Sequence, residues 1–133
     1  MSDREAFDQI LARVCGEQGW KEGESEFELD VALADGRRQK VQLEFFEHEG
    51  SEMLRLHTTI GSTLRIRQDR LAFALELNFA LPHGSMAVKD DMLVMVDTLI
   101  LSEADPLEVR ATIAYLAETA DRYEASMFGS DTH

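Results

Sequence analysis

The chain has 133 residues, enough for one domain with its own hydrophobic core. Hydrophobic residues make up 44% of it and charged residues 29%, which is typical of a globular protein and excludes a disordered one. The formal net charge of −13 argues against nucleic acid and against an anionic membrane surface as partners, because both attract positive charge.

The first predicted element is a helix over residues 3–18. Ser2 and Glu5 have the spacing of a capping box, in which a hydroxyl and a carboxylate three residues later bind the free N–H groups of the first turn. Gly19 is a typical helix stop. The apolar residues between these signals recur at helical spacing and predict one buried stripe, formed by Phe7, Ile10, Leu11, Val14 and Cys15.

Three antiparallel strands are predicted next, because the apolar pattern changes to strict alternation at Ser25. Asp35-Gly36 and Glu49-Gly50 predict the two turns that join them. The intervening acidic residues Glu26, Glu28 and Asp30 predict a solvated outer face. The residues predicted to face the core are Phe27, Leu29, Val31 and Leu33, then Val41, Leu43 and Phe45, then Leu54, Leu56, Thr58 and Ile60.

The second half of the chain predicts a helix, two strands and a final helix. The middle helix covers residues 68–79, and the two strands cover residues 86–88 and 92–101 on either side of Asp90-Asp91. Asp105-Pro106 opens the last helix, with Asp as the N-cap and Pro at the first helical position. We therefore predict one α+β domain over residues 1–128, with the element order α-β-β-β-α-β-β-α, and a frayed tail over residues 129–133.

The middle helix and the last strand contain more apolar residues than one core-facing side requires. Between residues 71 and 81 only Glu76 and Asn78 are polar, and residues 92–96 are all apolar. Because such elements must be covered on two sides, we predict a homodimer interface here. The alternative is that the first and last helices cover both elements within one chain. The predicted dimer contacts are Leu71, Phe73, Ala74, Leu77, Leu93 and Met95.

A smaller apolar patch is predicted on the outer face of the sheet. Phe45 and Phe46 are adjacent in one strand, so their side chains lie on opposite faces. If Phe45 faces the core, Phe46 lies outside, and Met53 on the next strand points the same way. This pair could hold a peptide strand or an amphipathic helix of a partner. The alternative is that they are ordinary exposed apolar residues without a function.

No catalytic, cofactor or metal site is predicted. No two histidines stand at the spacing of zinc ligands on a helix. Asp90-Asp91 is not followed by the ligands of a calcium loop, and no phosphate-binding glycine loop is present. Cys15 predicts a buried thiol rather than a nucleophile. His48 and His57 are expected to be exposed, and His83 to pack in a turn, so the protein is predicted not to be an enzyme.

The compartment is predicted from what the sequence lacks. A single cysteine cannot form an internal disulfide, so folding does not need an oxidising compartment. No apolar run approaches the roughly 20 residues that span a membrane, and the first residues do not form a signal peptide. We therefore predict a cytoplasmic protein.

The second half of the chain resembles a known family. Asn78, Leu81 and Gly84 form an N-x-x-L-x-x-G motif at the end of the middle helix, and an acidic turn, a strongly apolar strand and Asp105-Pro106 follow it. Tyr123 stands near the end of the last helix. With the element order, these features resemble the class I type III secretion chaperones (the Tir chaperone family) and their stand-alone bacterial relatives.

The resemblance implies a function. It implies a small, acidic, cytoplasmic homodimer without enzymatic activity that holds the N-terminal segment of a secretion substrate in an extended state. On this sequence, it implies partner binding near Phe46 and Met53 and at the first helix, at Phe7 and Ile10. The predicted function is thus a dimeric chaperone-like or adaptor protein for a partner polypeptide. The alternatives are a regulatory domain of the same fold without a secreted partner, and a small-molecule-binding protein.

Overall fold

A computed structural model of the protein describes residues 1–25 and 27–128. Three helices and six strands follow one another in the order α-β-β-β-β-α-β-β-α. The helices are α1 (Asp3–Gln18), α2 (Gln68–Asn78) and α3 (Pro106–Met127). The strands are β1 (Lys21–Glu22), β2 (Glu28–Ala32), β3 (Arg38–His48), β4 (Ser51–Ser62), β5 (Ser85–Lys89) and β6 (Met92–Ile100). The predicted α+β class is confirmed, and the predicted tail over residues 129–133 lies outside the described residues.

The strands form one antiparallel sheet with the order β1-β2-β3-β4-β6-β5. Only β1, which has two residues, was not expected from the sequence. Two tight turns use positive φ angles, at Glu49 (51°) with Gly50 (82°), and at Asp90 (50°) with Asp91 (61°). Paired positive φ angles match the right-handed twist of a hairpin, so these turns set the register of β3 with β4 and of β5 with β6.

The core lies between one face of the sheet and two helices. α3 packs across β3, β4 and β6, and α1 packs against α3. The predicted core-facing set of β4 is confirmed, since Leu54, Leu56, Thr58 and Ile60 are all buried. The helix starts are also as predicted. Ser2 and Glu5 form the capping box of α1, and the Asp105 side chain accepts the Glu108 N–H at 2.8 Å.

The start of β2 differs from the predicted alternation. Phe27 precedes the strand and is 42% exposed, because the chain turns before β2 begins. Glu28 was expected on a solvated face, but it is buried. Its carboxylate accepts hydrogen bonds from Gln42 Nε2 at 2.5 Å and from the Glu24 N–H at 2.9 Å. These bonds, above all that from Gln42, lower the pKa of Glu28 and keep the buried carboxylate charged.

The N-x-x-L-x-x-G motif connects α2 to the edge of the sheet. The Asn78 amide pairs with the backbone of Met86, donating to its carbonyl at 3.1 Å and accepting its N–H at 2.7 Å. Leu81 packs against the core. Gly84 has a φ of 65°, and a Cβ there would lie 2.8 Å from the Val96 carbonyl oxygen. The residues of the motif are therefore explained by the fold alone.

Candidate partner-binding surfaces

Several exposed apolar side chains lie along α2, at its C-terminal end and on the neighbouring edge strand β5. Phe73 is 50% exposed, Leu75 68% and Phe79 98%, and Val88 on the edge strand β5 is 59% exposed. We call these four residues the α2–β5 surface. Large apolar patches on a small protein usually mark an interface, so the surplus of apolar residues seen in the sequence is found at α2.

A cavity of about 570 Å³ lies between α2 and β5. Leu71, Ala74 and Leu75 contribute from the helix, and Met86 and Val88 from the strand. α2 has no side-chain cap at its first turn, and its N-cap position is Arg67. The cavity separates part of the helix from the edge strand β5.

The predicted dimer residues divide into two groups. Phe73 is half-exposed, and Leu71 and Leu77 are partly buried. Ala74, Leu93 and Met95 are buried within the single chain, so this conformation offers little or none of their surface to a second copy. The expectation that β6 needs a partner is thereby corrected. Leu93 and Met95 on one face of β6 and Val94 on the other are all buried within the single chain.

A second surface runs along α1 and β3, and its centre is Arg4. The Arg4 guanidinium lies 3.6 Å from the centroid of the Phe45 ring and 5.8 Å from that of Phe27. Arg4 Nε also donates to Asp8 Oδ1 at 3.1 Å, one helical turn away. A cation over an aromatic face is attracted by the ring quadrupole, so Arg4 rests on an aromatic floor while Asp8 holds its position.

Arg4 divides this surface into two hollows, which together we call the Arg4 groove. One hollow has a volume of about 280 Å³ and the other about 300 Å³, and Phe45 and Arg4 line both. The first is completed by Asp8, Leu11, Ala12, Glu22, Phe27 and Leu43. The second is completed by Phe46, Glu47, Glu52, Met53 and Leu101. The groove thus has an apolar floor and a charged rim.

Phe46 and Met53 are neighbours on the outer face of the sheet. They are directly paired in the β3–β4 register, and Met53 is paired in turn with Ile100 of β6. The Arg55 guanidinium covers Phe46 at 4.2 Å from the ring centroid and forms an ion pair with Glu44 at 2.6 Å. The two adjacent phenylalanines of β3 are therefore each covered by an arginine, on opposite faces of the sheet.

The structure narrows the predicted partner-binding set. Phe46 and Met53 are partly exposed, whereas Phe7 is completely buried and offers no surface. Phe7 instead packs edge-on against Phe45 with ring centroids 6.0 Å apart. Ile10 is partly buried and lines a separate shallow cavity beside Pro106.

The sequence reasoning missed Arg4, Phe27 and Leu101 as groove residues. Arg4 and Asp8 stand one turn apart, on the helix that carries Phe7, so their pairing could have been found. Phe27 and Leu101 lie where strands begin and end, at positions that periodicity does not resolve.

His57 is more enclosed than the sequence suggested. It pairs with Gln42 and Val96 in the sheet register, and its Nδ1 atom is buried without a hydrogen-bond partner among the described residues. Burial, and next the positive charge of Lys89, lower the pKa of His57 below its ordinary value of 6.5. The folded protein therefore prefers the neutral imidazole.

We expect His57 to make the folded state less stable as the pH falls. Because its pKa is lower in the folded than in the unfolded chain, its contribution is complete above a pH of about 6.5 and is lost below it. His57→Gln should reduce the loss of unfolding free energy between about pH 7.5 and about pH 5 in urea titrations. The control is His48→Gln, which changes an exposed histidine. Equal pH dependence in wild type and His57→Gln would contradict this expectation.

Cys15 and His83 both pack against neighbouring side chains. Burial raises the pKa of the half-buried Cys15, which keeps it a neutral thiol. His83 packs edge-on against Tyr115 with ring centroids 5.6 Å apart, as expected for a residue in a turn. Over residues 1–25 and 27–128, no three His, Cys, Asp or Glu side chains come together as metal ligands would. None of the helices in that part of the chain has the length and apolarity to cross a membrane.

Comparison with known proteins gives structural matches but no sequence matches. The sequence matches no family model and no curated protein. A chain of the ExsC–ExsE complex has a TM-score of 0.68 and 13% identity, over 92% of this chain and 94% of that one. A chain of the HopA1–SchA chaperone–effector complex has a TM-score of 0.62 and 8% identity, over 93% of this chain and 98% of that one.

A third match is a complex that contains a type III secretion chaperone. A chain of the complex between the Yersinia pestis type III secretion chaperone SycH and a stable fragment of YscM2 has a TM-score of 0.60. The identity is 18%, over 88% of this chain and 98% of that one. At these identities the similarity concerns the architecture. The resemblance seen in the sequence is confirmed, and this chain has the fold of the type III secretion chaperones.

Proposed function

We propose that this chain is a non-enzymatic, homodimeric chaperone-like protein of the cytoplasm that holds a segment of a partner polypeptide in the Arg4 groove. The observation that carries the proposal is the groove itself. Phe27 and Phe45 form an aromatic floor that stays accessible on either side of Arg4. Two of the matching structures are described as a chaperone–effector complex and as a secretion chaperone with a bound fragment, which supports the same use of this fold.

The α2–β5 surface supports the dimer. Its apolar side chains lie on one helix and one edge strand, next to a cavity that the single chain leaves open. A two-fold axis through this surface would place α2 and β5 of each copy against the other, as symmetric dimers do. Leu71, Phe73 and Leu77 would then be contacts, together with Leu75, Phe79 and Val88.

The physical mechanism of holding is burial of the partner's apolar side chains. Each apolar Å² removed from water contributes about 25 cal/mol, so one well-buried aromatic or aliphatic anchor contributes about 2 kcal/mol. An extended segment can place anchors in both hollows of the groove without folding. The structural likeness to secretion chaperones favours a type III secretion substrate as that partner.

A groove variant tests this function. Tagged wild-type protein should recover a polypeptide in a stoichiometric amount from its native host. The Phe27→Asp variant should recover at most about one tenth of that amount of the polypeptide. The reason is that the variant removes an exposed floor residue and places a charge where an apolar anchor would lie.

The matched control is Leu107→Asp, which changes an exposed apolar residue in the first turn of α3, outside the groove. It should recover as much partner as the wild type. Circular dichroism checks that both variants are folded. If Phe27→Asp and wild type recover the same polypeptide equally, or if the wild type recovers none, the proposal is wrong.

A further inference from the structure

The rim of the Arg4 groove is unbalanced in charge. Four carboxylates line its two hollows, and Arg4 is the single cation among the lining residues. Arg4 is already engaged, since its guanidinium binds Asp8 at 3.1 Å and lies on Phe45. The three carboxylates not held by Arg4 belong to Glu22, Glu47 and Glu52.

Glu47 and Glu52 form the most unfavourable part of this rim. They are directly opposed in the β3–β4 register, and both are exposed. Among the described residues, neither forms an ion pair. Directly opposed like charges destabilise a strand pair, and no described residue forms an ion pair that offsets this repulsion. A cation supplied from outside would relieve it.

The groove has the length of a short extended peptide. Leu43 lines the first hollow and Glu47 the end of the second, four residues apart on β3. At about 3.4 Å per residue this separation is about 14 Å, which an extended segment of four or five residues spans. The apolar floor under both hollows would receive alternate side chains of such a segment.

We propose that the partner segment held in the Arg4 groove is basic as well as apolar, with an apolar side chain in each hollow and a Lys or Arg between Glu47 and Glu52. This inference rests on the proposed function and adds the chemistry of the partner. The occupant follows from charge complementarity, because an acidic segment would add a further carboxylate to a rim that already has three uncompensated ones. A basic one removes the Glu47–Glu52 repulsion.

Two synthetic peptides test the proposal on the intact protein. One has the sequence Lys-Leu-Ser-Leu-Lys-Ser-Lys with blocked ends and a fluorescent label, and the other has Glu in place of each Lys. By fluorescence anisotropy the lysine peptide should bind at least about tenfold more tightly than the glutamate peptide. Binding should weaken as salt is added, because exposed charges are screened.

Charge variants separate the groove from the general acidity of the chain. Glu47→Gln with Glu52→Gln should weaken binding of the lysine peptide about fivefold, because exposed ion pairs at a rim contribute modestly. Glu118→Gln with Glu124→Gln removes the same charge from the exposed side of α3 and should change binding less than twofold.

Each other outcome overturns the inference. If both charge variants weaken binding equally, the lysine peptide is attracted by net charge and not by the groove. If neither peptide binds, or both bind equally, the partner chemistry is wrong. If both peptides bind equally but Phe27→Asp weakens their binding, the proposed function is still supported. The failure of the basic-partner proposal is then distinguishable from the failure of the proposed function.

Discussion

Phe73→Asp is expected to dissociate the proposed dimer into monomers at micromolar concentration. Phe73 is half-exposed on the α2–β5 surface, so burial of the remaining half of its ring contributes about 1–1.5 kcal/mol, and desolvation of the new carboxylate in that apolar contact costs about 1–1.5 kcal/mol more. A two-fold interface contains every substitution twice, so the loss is about 4–6 kcal/mol for each dimer. Since 1.4 kcal/mol is a factor of ten, the dissociation constant should rise about a thousandfold or more.

Sedimentation velocity measures this change directly. Leu107→Asp is the matched control, because Leu107 is 65% exposed and lies on α3, away from α2 and β5. It should sediment as the wild type does. A wild-type protein that is already monomeric at micromolar concentration would exclude the dimer, and so would a Phe73→Asp protein that remains dimeric.

Gly84→Ala is expected to lower the free energy of unfolding by about 2–5 kcal/mol. Two causes add. The φ of 65° disfavours any residue with a side chain, by about 1–2 kcal/mol. The added methyl group would also lie 2.8 Å from the Val96 carbonyl oxygen, which belongs to the backbone of β6 and cannot easily move. Overpacking of this kind costs about 1–3 kcal/mol.

Gly36→Ala separates the two causes. Gly36 has a φ of 79°, but no atom outside its immediate neighbours lies within 4 Å of the position its Cβ would take. This variant should therefore lose only about 1 kcal/mol, from backbone conformation alone. Both values follow from urea denaturation. Equal losses in the two variants would show that the close approach to Val96 does not matter.

Local signals were enough to predict most of the elements. These signals depend only on neighbours in sequence. They are the capping box at Ser2 and Glu5, the helix start at Asp105-Pro106, and the tight turns at Glu49-Gly50 and Asp90-Asp91. Alternation predicted the buried side of β4 correctly because α3 packs on one face of that strand. Two-residue β1 gives no periodic pattern, and only its pairing with β2 defines it.

The surfaces were harder to predict, because they depend on which elements become neighbours. The sequence predicted that β6 needs a partner, but its central residues on both faces are buried within the single chain. Glu28 looked solvated, but Gln42 from the next strand binds it. The Arg4 groove combines α1, β1, the chain before β2, β3, β4 and Leu101, which are separate in sequence. For the same reason, the side of α2 that stays exposed could be assigned only from the structure.

The amide of Asn78 limits how two copies can associate at β5. It occupies the N–H and the carbonyl of Met86, which point away from β6 along the open margin of the sheet. Another strand arriving there would find these two groups of Met86 already hydrogen-bonded. Within β5, only Val88 would still present its backbone N–H and carbonyl to the open side of the sheet. Two copies would thus have to meet through side chains rather than by merging their sheets. The same amide protects that margin from unlimited strand-by-strand growth into aggregates.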